Sequence, residues 1–251
     1  MQSVRRSIVR RFACLGLASA SLIGVGALPA GALPESEIVD ALTNIPVFIV
    51  ATPEGGYITN RLVREAEDGQ PRQEVALLNV FFSGDDAEEF LQQARAENEP
   101  FAENAIVGWT ELAALYEQAQ ANNEVPLRLL FVPQVEEIAA ASEVDSSYEG
   151  GVPLFVPKFS DDNSYVLLPI GNLNGGEPVV PVFFSQGDID GALAALEDQD
   201  PELRSRIEIE VLTLEGLIQQ MRATDDQNLT RLQLLPDSDA INYIRESEAE
   251  N

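Results

Sequence analysis

The sequence predicts an α+β protein of two similar half-domains, the products of an internal duplication. Three observations predict it. Asn79-Val80-Phe81-Phe82-Ser83-Gly84-Asp85-Asp86 recurs as Pro181-Val182-Phe183-Phe184-Ser185-Gln186-Gly187-Asp188, 102 residues on. Other segments match in the same order: Ile45 to Phe48 with Val152 to Phe155, Trp109 to Tyr116 with Val211 to Ile218, and Leu129 to Pro133 with Leu232 to Pro236. Within each half, short β-branched and aromatic runs alternate with helix-spaced apolar positions, the mixture expected of an α+β chain. Repeats of about 20 to 50 residues would imply a solenoid, whereas this longer period implies paired halves.

The elements follow in order. Arg5, Arg6, Arg10 and Arg11 precede an apolar run from Phe12 to Leu28, and Ala30-Gly31-Ala32 is an A-x-A cleavage site. Residues 1–32 therefore read as a secretory signal peptide, not a membrane anchor, because small residues weaken the run and it is barely long enough to span. The paired arginines raise a twin-arginine route, but the full pattern is missing and the ordinary route is expected. Cys14 precedes the apolar core, which argues against a lipidated cysteine. Residues 33–44 hold a short amphipathic helix, Glu35 to Leu42.

The first half-domain spans 45–141. Ile45 to Val50 reads as a strand, Pro53 to Gly56 as a turn, and Tyr57-Ile58-Thr59 as the start of the returning strand. Arg61 to Gln73 is polar and reads as an exposed loop. The Val-Phe-Phe run is a buried strand, and Ser83-x-x-Asp86 is a capping signal that opens a helix carrying Ala87, Phe90, Leu91 and Ala94. A second helix is expected from Thr110 to Ala121 and a strand from Leu127 to Val132, with Pro133 opening a helix to Ala141. Ser142 to Gly151 reads as an acidic Ser/Gly linker. The second half-domain, 152–245, repeats the plan: strand segments Val152 to Val156 and Tyr165 to Leu168, a tight loop Asn172 to Gly176, the Ser185-capped helix, a helix from Thr213 to Arg222, a strand from Leu229 to Leu235 and a helix from Pro236 to Tyr243. Residues 246–251 carry no large apolar residue and are expected to fray.

Composition limits the chemistry. The 251 residues hold 42 acidic and 15 basic side chains, a net charge of −27, and loss of the four leader arginines takes it to −31. That field repels nucleic-acid phosphates and argues against strong direct binding to an anionic membrane. Cys14 is the single cysteine and there is no histidine. Zinc and transition-metal sites thus lose their main ligands, so neither a metal nor a cofactor is expected. Ser-His-Asp and Cys-His nucleophile systems are excluded in their usual forms. Carboxylate pairs such as Asp85-Asp86 and Asp188 with Asp190 are explained by helix capping more simply than by catalysis. Asp161-Asp162-Asn163 lacks the later ligands of a calcium loop and reads as a turn. Gly55-Gly56 and Gly175-Gly176 do not lead a strand into a helix, so they form no phosphate loop.

What remains is apolar. Trp109, Leu112 and Tyr116 fall on one predicted helix face, and Val211, Leu214 and Ile218 on its counterpart. Such stripes are either core or the walls of a groove for apolar client segments, and spacing alone leaves both open.

The duplicated unit carries a family resemblance. Gly151-Val152-Pro153-Leu154-Phe155 and Val180-Pro181-Val182-Phe183-Phe184-Ser185, followed by an acidic capped helix, resemble the twenty-two-kilodalton component of the chloroplast inner-envelope protein translocon and its cyanobacterial relatives. The resemblance covers about Ile45 to Ile244. It implies a two-halved α+β protein with pseudo-twofold symmetry and apolar grooves, no enzymatic activity, and a chaperone-like role in protein translocation. Its implied partners are unfolded or precursor proteins and an outer-membrane assembly machinery. The short leader fits the periplasm, with the thylakoid lumen as the alternative, better than a plastid transit peptide. Two other classes stay open: a carrier of a small apolar molecule, and a carbohydrate-active enzyme using carboxylates alone.

Overall fold

A computed structural model describes residues 32–64, 73–121, 124–168 and 177–249. The predicted leader through Gly31, the tight loop at Asn172 to Gly176 and most of the Arg61 to Gln73 loop lie outside these residues. The described chain is α+β, with two mixed sheets and eight α-helices.

The first sheet contains β1 (Pro46–Ala51), β2 (Asn60–Arg64), β3 (Gln73–Phe81), β4 (Ile106–Glu111) and β5 (Leu127–Val132). β1 runs antiparallel to β3 and β4, while β3 runs antiparallel to β2 and parallel to β5. The second sheet, ordered β8-β6-β7-β9, contains β6 (Pro153–Phe159), β7 (Val180–Phe183), β8 (Ile207–Thr213) and β9 (Leu232–Leu235). β6 is antiparallel to β7 and β8, and β7 is parallel to β9. Thus Phe48 sits between Phe81 and Trp109 in one sheet, as Phe155 sits between Phe183 and Val211 in the other.

The helices are α1 (Glu35–Leu42), α2 (Gly84–Ala96), α3 (Leu112–Gln120), α4 (Val135–Val144), α5 (Gln186–Gln199), α6 (Pro201–Arg204), α7 (Leu214–Ala223) and α8 (Ser238–Ala249). The caps form where the Ser-x-x-Asp signals placed them. Ser83 Oγ accepts from Asp86 N at 3.2 Å, and Ser185 Oγ from Asp188 N at 3.4 Å. Each bond satisfies an N–H that the first helical turn leaves without a partner.

Several boundaries differ from the sequence reading. Trp109 and Val211 are strand residues of β4 and β8, not helix residues. The strand passes into the helix with no intervening turn: Leu112 N donates to Ile45 O and Leu214 N to Val152 O, so the ladder runs on into the helix. Without a Gly, Pro or Asn break, the strand-then-helix run mimicked one helical stripe. The returning segments meet β1 and β6 only through single bridges, Ala51 with Tyr57 and Lys158 with Tyr165. Arg61 to Arg64, expected as the start of a loop, instead belong to β2 against β3. Residues 229–231 form a 3-10 turn before β9. Pro133 and Pro236 stand just ahead of their helices, not in the first turn. Ser142 to Val144 belong to α4, and the linker beyond is tied by Ser147 N and Oγ donating to Asp145. The expected frayed tail is helical through Ala249.

Three apolar clusters hold the layers. The central one takes Val47, Ile49, Leu78, Val80 and Phe82 from the first sheet side and Leu154, Val156, Val182 and Phe184 from the second, with α1, α3 and α7. Phe82 and Phe184 stack across it, with centroids 5.3 Å apart and planes at 21°. The alternate side chains of β1, Phe48 and Val50, face a second cluster under α2, as the strand period of two requires. Phe155 and Phe183 face a third cluster with α5.

The helices that follow β5 and β9 cross over. α4 leaves the first sheet and packs Ala140 and Ala141 into the cluster on the second, while α8 leaves the second sheet and packs Ala240, Tyr243 and Ile244 onto the first. Tyr243 meets Phe48 edge-on at 5.1 Å and covers Gly84 so closely that a Cβ there would lie 2.5 Å from its ring.

Candidate functional site

The two apolar stripes singled out by spacing, six residues in all, do not each wall a groove. Leu112 and Leu214 are fully buried and Tyr116 is 4 % exposed, all in the central cluster. Burial, then the neighbouring Glu35, pushes the Tyr116 phenol up to about 12. Trp109, by contrast, is 47 % exposed. Directly paired antiparallel residues share a sheet face, so Trp109 lies on the Phe48 face, opposite the cluster that holds Tyr116. Val211 likewise packs with the outer cluster of its sheet. Of the six, only Ile218 lies both against the central cluster and in an open cleft.

The clefts flank α7. Thr213 Oγ1 caps this helix by accepting from Gly216 N at 3.1 Å, and Leu214, Leu217 and Met221 anchor its inner face. On one side, a cleft of about 360 Å³ lies between α7, the end of β8, the turn at Asn228–Leu229 and the start of β9. Its walls are Tyr165, Leu212, Gly216, Leu217, Leu229 and Leu232, with Asp226 at the rim. Tyr165 is 37 % exposed, and the adjacent Leu167 adds 42 % exposed apolar surface. Burial and the Glu210 carboxylate push the Tyr165 phenol up to about 12, so it stays a neutral hydrogen-bond donor over the physiological range. On the other side, a cleft of about 470 Å³ is bounded by Ile218, Ala223 and Arg222 of α7 and by Phe131 of β5. Phe131 rests edge-on against Phe82 at 5.8 Å, which fixes its ring at the cleft wall.

These surfaces can receive leucine-sized or aromatic side chains from a flexible chain. Sequence reasoning missed Tyr165, Leu217, Leu229, Leu232 and Phe131 as site residues. Tyr165 and Leu167 did carry a signal, since alternate apolar residues beside a turn mark a strand with one open face. Leu229 and Leu232 carried none, because a turn and a strand start approach α7 only through tertiary folding.

Asp188, weighed for catalysis, and Asp161 and Asp162, weighed as a calcium loop, are engaged in structure. Asp188 accepts from Ser238 N and Oγ at 3.0 and 2.6 Å. Asp162 accepts from Ser164 N and Oγ, and Asp161 pairs with Arg206 at 2.6 Å. Among the described residues, no group of three His, Cys, Asp or Glu side chains is placed to hold a metal ion, and no helix is long and apolar enough to cross a membrane.

Comparison with known proteins sets this geometry in context. The model of the Tic22-like family matches residues 3–246. The solved structure of Anabaena Tic22, described as a protein of protein transport, superposes with a TM-score of 0.71 at 25 % identity, covering 85 % of this chain and 97 % of that one. Tic22 from Plasmodium falciparum shares the fold with a TM-score of 0.60 at 16 % identity, covering 85 % and 98 % of the two chains. No curated protein matches the chain.

Proposed function

We propose, from the premise that this chain belongs to the Tic22-like family, that it is a non-enzymatic, chaperone-like factor of protein transport. It holds apolar segments of unfolded or precursor proteins in the clefts beside α7. The observation that carries this reading is the pair of open apolar clefts on the two sides of one helix, about 360 and 470 Å³, in a protein of charge −27. Open apolar surface marks interaction sites, and the net charge keeps such a binder from associating with itself. The Anabaena relative's description as a transport protein supports the same direction. The leader-like N-terminus supports export to the periplasm, where an outer-membrane assembly machinery is the proposed partner.

A carrier of a small apolar ligand is less well supported. A carrier needs an enclosed pocket; the clefts beside α7 are open, and the apolar cavity under α5, bounded by Phe183, Ile189, Leu193 and Ile207, holds about 50 Å³. Small-molecule sites run from about 300 Å³ upward. The matching strand pairings of β4-β1-β3-β5 and β8-β6-β7-β9 support descent from a duplicated half, with the pseudo-twofold axis near the Phe82–Phe184 stack. A least-squares overlay of residues 46–132 on 153–235 that failed to match these strands would refute that part.

Fluorescence anisotropy with defined apolar peptides tests the function. Tyr165→Ala and Ile218→Asp should each weaken binding about tenfold or more, as loss of a central interface anchor does, with thermal melts close to the parent. Folded variants that bind as tightly as the parent would overturn the assignment.

A further inference from the structure

The crossing of α4 and α8 creates a second feature that transport by the clefts does not use. The N-termini of α2, α4, α5 and α8 converge there, and with them come carboxylates buried without a cationic partner. Glu137 is 9 % exposed and accepts from Gln186 N at 2.9 Å, which ties α4 to the start of α5. Asp237 is 5 % exposed, accepts from Asp239 N at 2.8 Å and takes a hydrogen bond from the Gln134 side chain, itself 8 % exposed. The segment leading into α8 is thereby tied to the segment leading into α4.

The charged groups facing these two acids are themselves acidic. Glu137 faces Asp237 and Glu136, with the Ser185 hydroxyl donating to it, and Asp237 faces Asp188 and Asp239. On α2, Asp86 faces Glu136, Glu89 and Asp85. The ion pairs among the described residues lie elsewhere, at Arg61–Glu74, Lys158 with Glu208 and Glu210, and Arg206–Asp161. Desolvation and like-charge proximity both disfavour ionisation here, while the helix N–H donors oppose them. The outcome is a carboxyl range raised for Glu137 and Asp237, first by burial, and likewise for Asp86.

We infer that the Glu137–Asp237 junction is a pH-operated latch: ionisation loosens α4 and α8 from the sheets they cover, and mild acid seals them. Release would uncover the β6 face that carries Phe155 beneath α4 and Phe48 beneath α8. The sign follows from linkage. A carboxyl that holds its proton to higher pH when docked takes up protons on docking. Docking is therefore strongest below the undocked value and weakens as pH rises through the docked one.

Amide hydrogen exchange, corrected for the intrinsic rate at each pH, reads the latch directly. Protection of α4 and α8 amides should fall severalfold as pH rises from about 4, the ordinary carboxylate range, to about pH 8, while the amides of Val47 to Ile49 in β1 change far less. Asp237→Asn and Glu137→Gln keep an acceptor of the same shape, and each should flatten that fall and raise protection at pH 8. A parent protein whose α4, α8 and β1 amides respond alike would overturn the latch, because the effect would then be global. So would variants that keep the parent's pH dependence or lose protection at pH 8. Both variants failing to fold would also overturn it, since neutral side chains should relieve this junction.

Discussion

Truncating Phe82 tests the packing account most severely, because this ring joins three parts of the core. It is 4 % exposed, stacks on Phe184 at 5.3 Å and meets Phe131 edge-on at 5.8 Å. Removing a buried Phe side chain costs about 3–5 kcal/mol through lost transfer energy and the cavity left behind. Each aromatic pair adds about 0.5–1.5 kcal/mol beyond area burial. Phe82→Ala loses two such pairs and Phe184→Ala one, so the first variant should be the less stable by about 1 kcal/mol. The double variant should then fall short of additivity by a similar amount, which is the coupling energy of the stacked pair. Urea unfolding of the four proteins, with midpoint and slope fitted together, measures all three quantities. A Phe82→Ala cost below about 1 kcal/mol, or strict additivity of the two truncations, would refute the joining of both sheets through this stack.

Further predictions concern the surfaces and the caps. Tyr116→Ala should cost about 3–5 kcal/mol, whereas the half-exposed Trp109 should cost clearly less on truncation; equal thermal shifts would contradict their placement on opposite sheet faces. Ser83→Ala and Ser185→Ala should each destabilise by about 1 kcal/mol in chemical denaturation, because each leaves a first-turn N–H without its cap. Gly84→Ala places a methyl against the Tyr243 ring. It should lower the melting temperature despite alanine's better helix propensity, and a rise would contradict the docking of α8 on α2.

Much of the fold was legible because local chemistry and tertiary structure agreed. Ser83 and Ser185 announced their helices, and the Val-Phe-Phe runs alternate between the central and outer clusters as strands must: Val80 and Phe82 face inward, Phe81 outward. β4 and β8 were illegible for a specific reason. Their ladders feed straight into α3 and α7, so Trp109, Leu112 and Tyr116 fell by coincidence on a helical spacing while belonging to two elements. The crossing of α4 and α8 was equally hidden. Ala141 and Ala240 look like any helix-face alanines, and nothing in their spacing says that each covers the sheet its own strand does not join. The clefts were half visible. Ile218 stood in the right helix, but its partner Phe131 comes from the other sheet, a juxtaposition made only by folding.

Photo-crosslinking tests the central claim most directly. An apolar peptide carrying a photoreactive leucine analogue, mixed with the folded full-length chain and mapped by mass spectrometry, should label residues 212–232 around α7, Tyr165 and Phe131. An excess of unlabelled peptide should suppress these adducts. Adducts concentrated on Trp109 and the β4 edge, or spread evenly over the chain and indifferent to competitor, would contradict the claim that the clefts beside α7 hold client segments.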